Sequence, residues 1–193
     1  MSRKILVIDA HPAGASFCSA LAERYAEAAR AGGAAVELVA LRDIAFDPIL
    51  HQGYGNRQEW EPGLAALWAS IEAAGHVCFV YPTWWGGHPA LLQGFFERVF
   101  LPGKAFAYHK DDPYWDRLLA GRTCDVLTTM DSPAWYYRFV NRNGGIARIR
   151  RTILEFVGMK TKVHVFDRVK YSDAGKRSGW LDRAATLGRA AAA

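Results

Sequence analysis

Residues 76–100 read HVCFVYPTWWGGHPALLQGFFERVF. The first six, His76 to Tyr81, form a short apolar run without alternation, the pattern of a strand buried on both faces. Pro89 then stands where a helix can begin, because a missing N–H does no harm in a first turn, and that helix extends to about Phe100. Between strand and helix lie Trp84, Trp85, Gly86 and Gly87. A turn cannot easily hide two indoles in a core. Such rings can wall a flat aromatic ligand while the glycines keep the backbone close to its edge. The other reading packs both rings under a loop or at a dimer interface.

The same strand–helix unit recurs along the chain. Residues 4–9 (KILVID) read as a first strand. Residues 16–31 follow with Phe17, Leu21, Tyr25 and Ala28 at helical spacing, closed by Gly32-Gly33. Residues 36–41 make a second strand, and a polar loop runs over about 42–62. A helix over 64–74 ends at Gly75 and leads into the strand quoted above. After the helix that starts near Pro89 comes a long insertion, 102–119. A fourth strand covers 123–128, a helix 146–157 is stopped by Gly158, a fifth strand covers 162–166, and a helix from 178 to about 189 ends in an alanine tail expected to fray. Strands alternating with helices predict an α/β fold, a five-stranded parallel sheet with helices on both faces. Right-handed crossovers make it a three-layer sandwich, for which the common strand order is 2-1-3-4-5. The expectation is one domain over residues 1–193.

Composition agrees. With 193 residues and 51% hydrophobic content, the chain can bury a substantial core and is not disordered. No apolar run reaches the roughly 20 residues of a membrane span. The start, MSRKILVIDAHP, lacks the pattern of a signal peptide, so an intracellular, cytoplasmic and soluble protein is expected. Cys18, Cys78 and Cys124 are odd in number and widely spaced, which suits neither a disulfide framework nor a metal site. The formal charge is +5, the isoelectric point is near 9.2, and basic residues crowd 138–151 and 160–168. Nucleic acid, a phosphate-bearing small ligand and a plain solvated surface are the competing explanations; without a recognisable reader fold, nucleic acid ranks lowest.

In an open parallel sheet, ligands sit beyond the carboxyl ends of the strands where the winding reverses. The sequence after strands one, three and four should therefore carry the chemistry. After strand one comes AHPAGASFC, residues 10–18. Ser16 is an N-cap candidate, and the free amides of the helix start can hold a phosphate. His11 is either a phosphate donor or an ordinary loop residue. Neither G-x-G-x-x-G nor a P-loop occurs, which disfavours a conventional dinucleotide fold. After strand four comes TTMDSPAWYYR, residues 128–138, again polar and aromatic together. Loops of this kind converging on one point suit a cofactor that is planar and phosphorylated, a flavin mononucleotide moiety.

His11-Pro12, Ser16-Phe17, Pro82-x-Trp-Trp-Gly86, Pro89-Ala90-x-Leu-x-Gly-Phe-Phe-Glu-Arg-Val-Phe100, Phe106-Ala-Tyr108 and Thr128-Thr129 resemble the NAD(P)H:quinone oxidoreductases, flavodoxin-like flavoenzymes, in their short bacterial branch. The resemblance extends to about Gly158. It implies a flavodoxin-like fold that binds FMN or FAD tightly, with NADPH or NADH as hydride donor and a small-molecule electron acceptor. It implies that His11, Ser16, Phe17 and Cys18 hold the phosphate region, that Pro82, Thr83, Trp84, Trp85 and Gly86 contact the isoalloxazine, and that Thr128, Thr129, Met130 and Asp131 complete its pyrimidine side. It also implies a homodimer whose sites are shared between subunits.

Three positions depart from the family pattern. Cys18 stands where many relatives have Asn. Met130-Asp131 replaces a Gly-Gly pair. Tyr136 matches a family Tyr by spacing, but its His companion has no equivalent, and Arg142 falls near that place. The reaction expected is two-electron transfer through one ping-pong site, with Trp85 and Tyr108 as apolar walls, Tyr136 hydrogen-bonding the reduced ring, and Arg138 and Arg142 steering the nucleotide. The alternatives are a one-electron flavodoxin-type carrier and a flavin-binding ancillary subunit of a potassium efflux system. FMN against FAD, NADH against NADPH, and the natural acceptor stay open.

Overall fold

A computed structural model describes residues 2–56 and 58–193. Five parallel strands form the central sheet: β1 (Lys4–Asp9), β2 (Ala35–Ala40), β3 (His76–Pro82), β6 (Thr123–Met130) and β7 (Lys160–Asp167). Their order is β2-β1-β3-β6-β7, which is 2-1-3-4-5 when the sheet strands are counted alone. Every neighbouring pair is parallel. The remaining strands, β4 (Phe106–Tyr108) and β5 (Trp115–Arg117), make a separate antiparallel ribbon inside the insertion.

The apolar runs without alternation have the expected cause: both faces of the sheet are covered. Leu6, Ile8, Val77, Phe79, Tyr81 and Val126 pack with helices α2 (Pro62–Ala73) and α3 (Ala90–Val99). Ile5, Val7, Cys78, Val80, Leu127 and Phe166 face α1 (Phe17–Ala31) and α6 (Ala174–Ala192). Cys18, Cys78 and Cys124 are free and buried, as small hydrophobes would be.

The last helix differs from expectation at both ends. It begins at Ala174, four residues early, because the Asp173 carboxylate accepts from the Lys176 amide at 2.7 Å and caps it. The alanine tail expected to fray is helical to Ala192, with Ala184 and Ala191 buried in the cluster that includes α1. Small residues permit this approach. A Cβ added at Gly188 would lie 2.2 Å from the Tyr25 carbonyl oxygen. The helix expected over 146–157 also changes character. A short α5 (Gly144–Ala147) passes into a π-helical stretch, Arg148–Leu154. Helix α4 (Ala134–Phe139) was not expected.

The loop following β2 is pinned from beneath. Arg98 of α3 is buried; its guanidinium pairs with Glu61 at 2.8 Å and donates to the carbonyls of Asp47 and Glu59.

Candidate active site

The carboxyl tips of β1, β3 and β6 converge on a cleft of about 200 Å³. His11, Phe17, Cys18, Pro82, Thr83, Trp84, Thr129, Met130, Asp131 and Val169 line it. Each side is held by hydrogen bonds traceable to the sequence.

On the β1 side, Asp9 is buried at the strand tip. Its Oδ1 accepts from the His11 amide at 3.1 Å, and its Oδ2 accepts from Ser19 Oγ at 2.7 Å and Arg42 Nη1 at 2.5 Å. Ser16 caps α1, its Oγ accepting from the Ser19 amide at 3.0 Å. The amides of Gly14, Ala15, Ser16, Phe17 and Cys18 have no partner among the described residues, so five donors at a helix start remain free for an anion. Cys18 takes no part there through its side chain. Its Sγ turns inward to Thr129 Oγ1 at 3.3 Å, and burial pushes the thiol up to about 12.

On the β3 side, the indoles sit in a two-residue hairpin. The Trp84 amide donates to the Gly87 carbonyl and the Gly87 amide to the Trp84 carbonyl, both at 2.9 Å. The central residues, Trp85 and Gly86, have φ of +51° and +76°, the signature of a type I′ turn. Trp85 is fully exposed and Trp84 about half exposed, with His11 edge-on to Trp84 at 5.6 Å between ring centroids. Neither ring is sealed in the interior. Thr83 anchors the base of the turn: its amide donates to the Thr129 carbonyl at 2.6 Å, and its hydroxyl meets that of Thr128 at 2.7 Å.

A residue the sequence reading passed over fixes the outer end of this turn. Tyr137, adjacent to the chosen Tyr136, is buried; its hydroxyl donates to the Gly86 carbonyl at 2.8 Å and accepts from the Gly145 amide at 3.1 Å. Burial raises its pKa, which keeps the phenol protonated for that bond. Gly145 is obligatory here, because a Cβ would sit 2.0 Å from the Gly86 oxygen. Two adjacent tyrosines on an unexpected one-and-a-half-turn helix gave no sequence signal for which one faces inward.

On the β6 side, Asp131 lines the cleft and is held by backbone from the segment after β7. Its Oδ1 accepts from the Lys170 amide at 2.9 Å, and Asp167 Oδ2 reciprocates by accepting from the Ala134 amide at 2.9 Å. These two bonds tie the segment after β6 to the segment after β7, which supplies Val169 to the cleft wall. That wall was also missed, because the fifth strand lies away from the switch point. Next to it, Phe17 lies 5.8 Å from Trp180 and beneath the Arg177 guanidinium, also at 5.8 Å.

Of the other expected residues, Trp85 and Gly86 follow Trp84 in the turn without lining the cleft themselves. Tyr136 is partly exposed and contacts Trp135 edge-on at 5.8 Å. Tyr108 lies outside the cleft, exposed on β4 against Phe106 at 5.1 Å. It lines a separate groove of about 420 Å³ with Tyr54, Gln93, Phe96, Phe106 and Arg148. Within one chain, the structure does not bring Tyr108 together with the strand tips. The described residues hold no His, Cys, Asp and Glu grouping suited to a metal ion.

Free amides at the helix start, the half-exposed Trp84 indole lining a narrow slot, and polar strand tips opposite are a set that fits a phosphorylated planar ligand. Comparisons with known proteins point the same way. Residues 3–187 match a family described by its flavodoxin-like fold. The chain is 30% identical over 126 residues to NAD(P)H dehydrogenase [quinone] 1 of Rattus norvegicus, a match covering 55% of this chain and 46% of that protein. It thus spans under half the length of that mammalian relative. It is 31% identical over 137 residues to an uncharacterized NAD(P)H oxidoreductase of Haemophilus influenzae, covering 69% of this chain and 67% of that one. Among solved structures, the FMN-dependent NADH-azoreductase of Bacillus anthracis in complex with FMN superposes with a TM-score of 0.78 at 16% identity, over 99% and 100% of the two chains. The chain belongs to the flavodoxin-like family of NAD(P)H:quinone oxidoreductases.

Proposed function

We propose that the protein is a flavin-dependent NAD(P)H oxidoreductase that reduces quinones or similar acceptors in two-electron steps, donor and acceptor using one place in turn. The observation that carries this reading is the Trp84–Gly87 turn. It exposes a whole indole in a backbone conformation unfavourable to it, next to Trp84, which lines a cleft shared with Phe17 and Cys18, whose amides have no partner among the described residues.

A flavin bound there supplies the two-electron carrier, a chemistry the protein's side chains lack. The chain's residues bind and orient. The amides of residues 14–18 hold the phosphate, with His11 and Ser16 beside them. Pro82, Thr83, Trp84 and Gly86 border the ring, and Thr128, Thr129 and Met130 close the opposite edge. Trp85 forms an apolar wall that keeps a flat donor or acceptor stacked and excludes water. Tyr136 hydrogen-bonds the reduced ring and Tyr108 is a further apolar wall, an assignment that requires a second copy of the chain to bring Tyr108 near. A homodimer with shared sites is therefore part of the proposal.

The test is direct. Purified protein should show a flavin spectrum, and the released cofactor identifies FMN or FAD. Anaerobic NADPH or NADH should bleach it fully, and a benzoquinone should restore the colour without a detectable one-electron intermediate. A protein that retains flavin but is not bleached by either nucleotide would refute the dehydrogenase assignment and favour a one-electron carrier.

A further inference from the structure

The two basic runs of the sequence leave a residue of charge that the strand-tip cleft does not use. Arg150 comes from the first run and Lys160 and Lys162 from the second, and the fold carries all three to the opposite end of the sheet. There they join Arg3 and Arg117 around a cleft of about 750 Å³. Its floor is the amino-terminal ends of β3, β6 and β7, with His76, Thr123, Asp125 and His164, and its side is the last turns of α6 at Leu187, Ala190 and Ala191.

The charge in this cleft is unbalanced. Five cationic side chains face two carboxylates, Asp125 and Glu155. Glu155 is taken by Arg150 at 2.8 Å. Asp125 is buried in the floor, its Oδ2 accepting from the Tyr25 hydroxyl at 2.9 Å and its Oδ1 3.3 Å from His164 Nε2. Among the described residues, Arg3, Arg117, Lys160 and Lys162 form no ion pair. Arg3 donates to Thr123 Oγ1 at 2.8 Å, and Arg117 lies over the Trp115 ring at 5.5 Å. Four cations without counter-charges around one concavity repel one another and focus a positive field into it.

Lysines on an edge strand have a simpler use, since they discourage pairing with another chain. β7 is such an edge, but Arg3 precedes β1 and Arg117 belongs to the β4–β5 ribbon, and neither protects β7. Their convergence with the β7 lysines needs another explanation. The floor is already ordered, with His76 Nδ1 2.7 Å from Thr123 Oγ1 and His76 Nε2 2.8 Å from the Tyr25 hydroxyl. The volume lies within the range of small-molecule sites. Among the described residues, none of the large exposed hydrophobic side chains lines this cleft; Trp85, Tyr108, Trp135 and Phe139 are elsewhere. There is accordingly no stacking platform for bases and no apolar anchor for a bilayer.

We propose that this cleft binds a compact oligophosphate, a small anion carrying several charges, at a site separate from the flavin cleft. Inorganic tripolyphosphate titrated into the flavin-loaded protein at low ionic strength should bind at one saturable site and raise the melting temperature. Lys160→Gln/Lys162→Gln and Arg3→Gln/Arg117→Gln should each weaken binding by roughly tenfold or more, with flavin content and NAD(P)H oxidation unchanged. Salt near 0.3 M should weaken it as well. The inference fails if no saturable binding occurs, if either double variant binds as tightly as the parent, or if FMN added to the flavin-free protein competes with tripolyphosphate. Binding to anionic vesicles or duplex DNA without binding to tripolyphosphate also overturns it. Flavin content is read on the same samples, so failure of the redox reading and failure of this one remain distinguishable.

Discussion

Trp85 occupies the first central position of a type I′ turn, where asparagine is the ordinary choice because φ must be positive. At +51°, a bulky side chain there costs on the order of 1–2 kcal/mol, and the indole recovers nothing by burial, since it is fully exposed. The strain needs a functional return. Trp85→Gly is expected to raise stability by about 1 kcal/mol in urea unfolding of the flavin-free protein. In the flavin-loaded protein it should lower quinone turnover by roughly tenfold or more while flavin retention stays near normal. A variant that turns over as fast as the parent would remove Trp85 from the site. The pair of indoles was legible in the sequence because large rings beside glycines have few structural uses. Tyr137 was not legible, because its importance lies in one hydroxyl that meets Gly86 and Gly145 across 51 and 8 residues of chain.

At the scale of elements, the regular strand–helix units were readable from apolar runs and glycine stops, and their ends shifted by a few residues. The failures share a cause, which is tertiary contact overriding local composition. The alanine tail has no apolar stripe to mark it as packed, yet α6 comes so close to α1 at Gly188 that no side chain fits there. Gly188→Val should therefore destabilise the protein strongly, by about 3 kcal/mol or more, beyond the usual cost of overpacking because the clash is with backbone. A matched Gly179→Ala change, where a Cβ meets nothing, should be neutral or slightly stabilising through helix propensity. Thermal unfolding of the two variants separates packing from propensity. The passage from α5 into the π-helical stretch was equally invisible, since π-helical and α-helical turns use the same residue types.

For the whole molecule, order 2-1-3-4-5 places the strand-tip cleft at the reversal of winding, as expected from the succession of elements alone. The positions of Tyr108 and the Val169 wall depended on long loops that no periodicity describes. The other end of the sheet makes stability depend on acidity. Burial lowers the pKa of His76 to about 4, with Asp125 opposing the shift and Arg3 and Lys162 adding to it. The unfolded imidazole titrates near 6.5, so the unfolded state takes up protons first as pH falls. Stability from His76 is complete above pH 6.5 and is lost progressively down to about pH 4, by roughly 3 kcal/mol in all. Urea midpoints should decline across that window, and His76→Gln should flatten the decline while lowering stability at neutral pH. At the functional end, the crossed bonds from Asp131 to the Lys170 amide and from Asp167 to the Ala134 amide work like a lacing between two flaps. Each thread runs from one flap to the other, so the far side of the slot is braced as a single panel rather than as two separate edges.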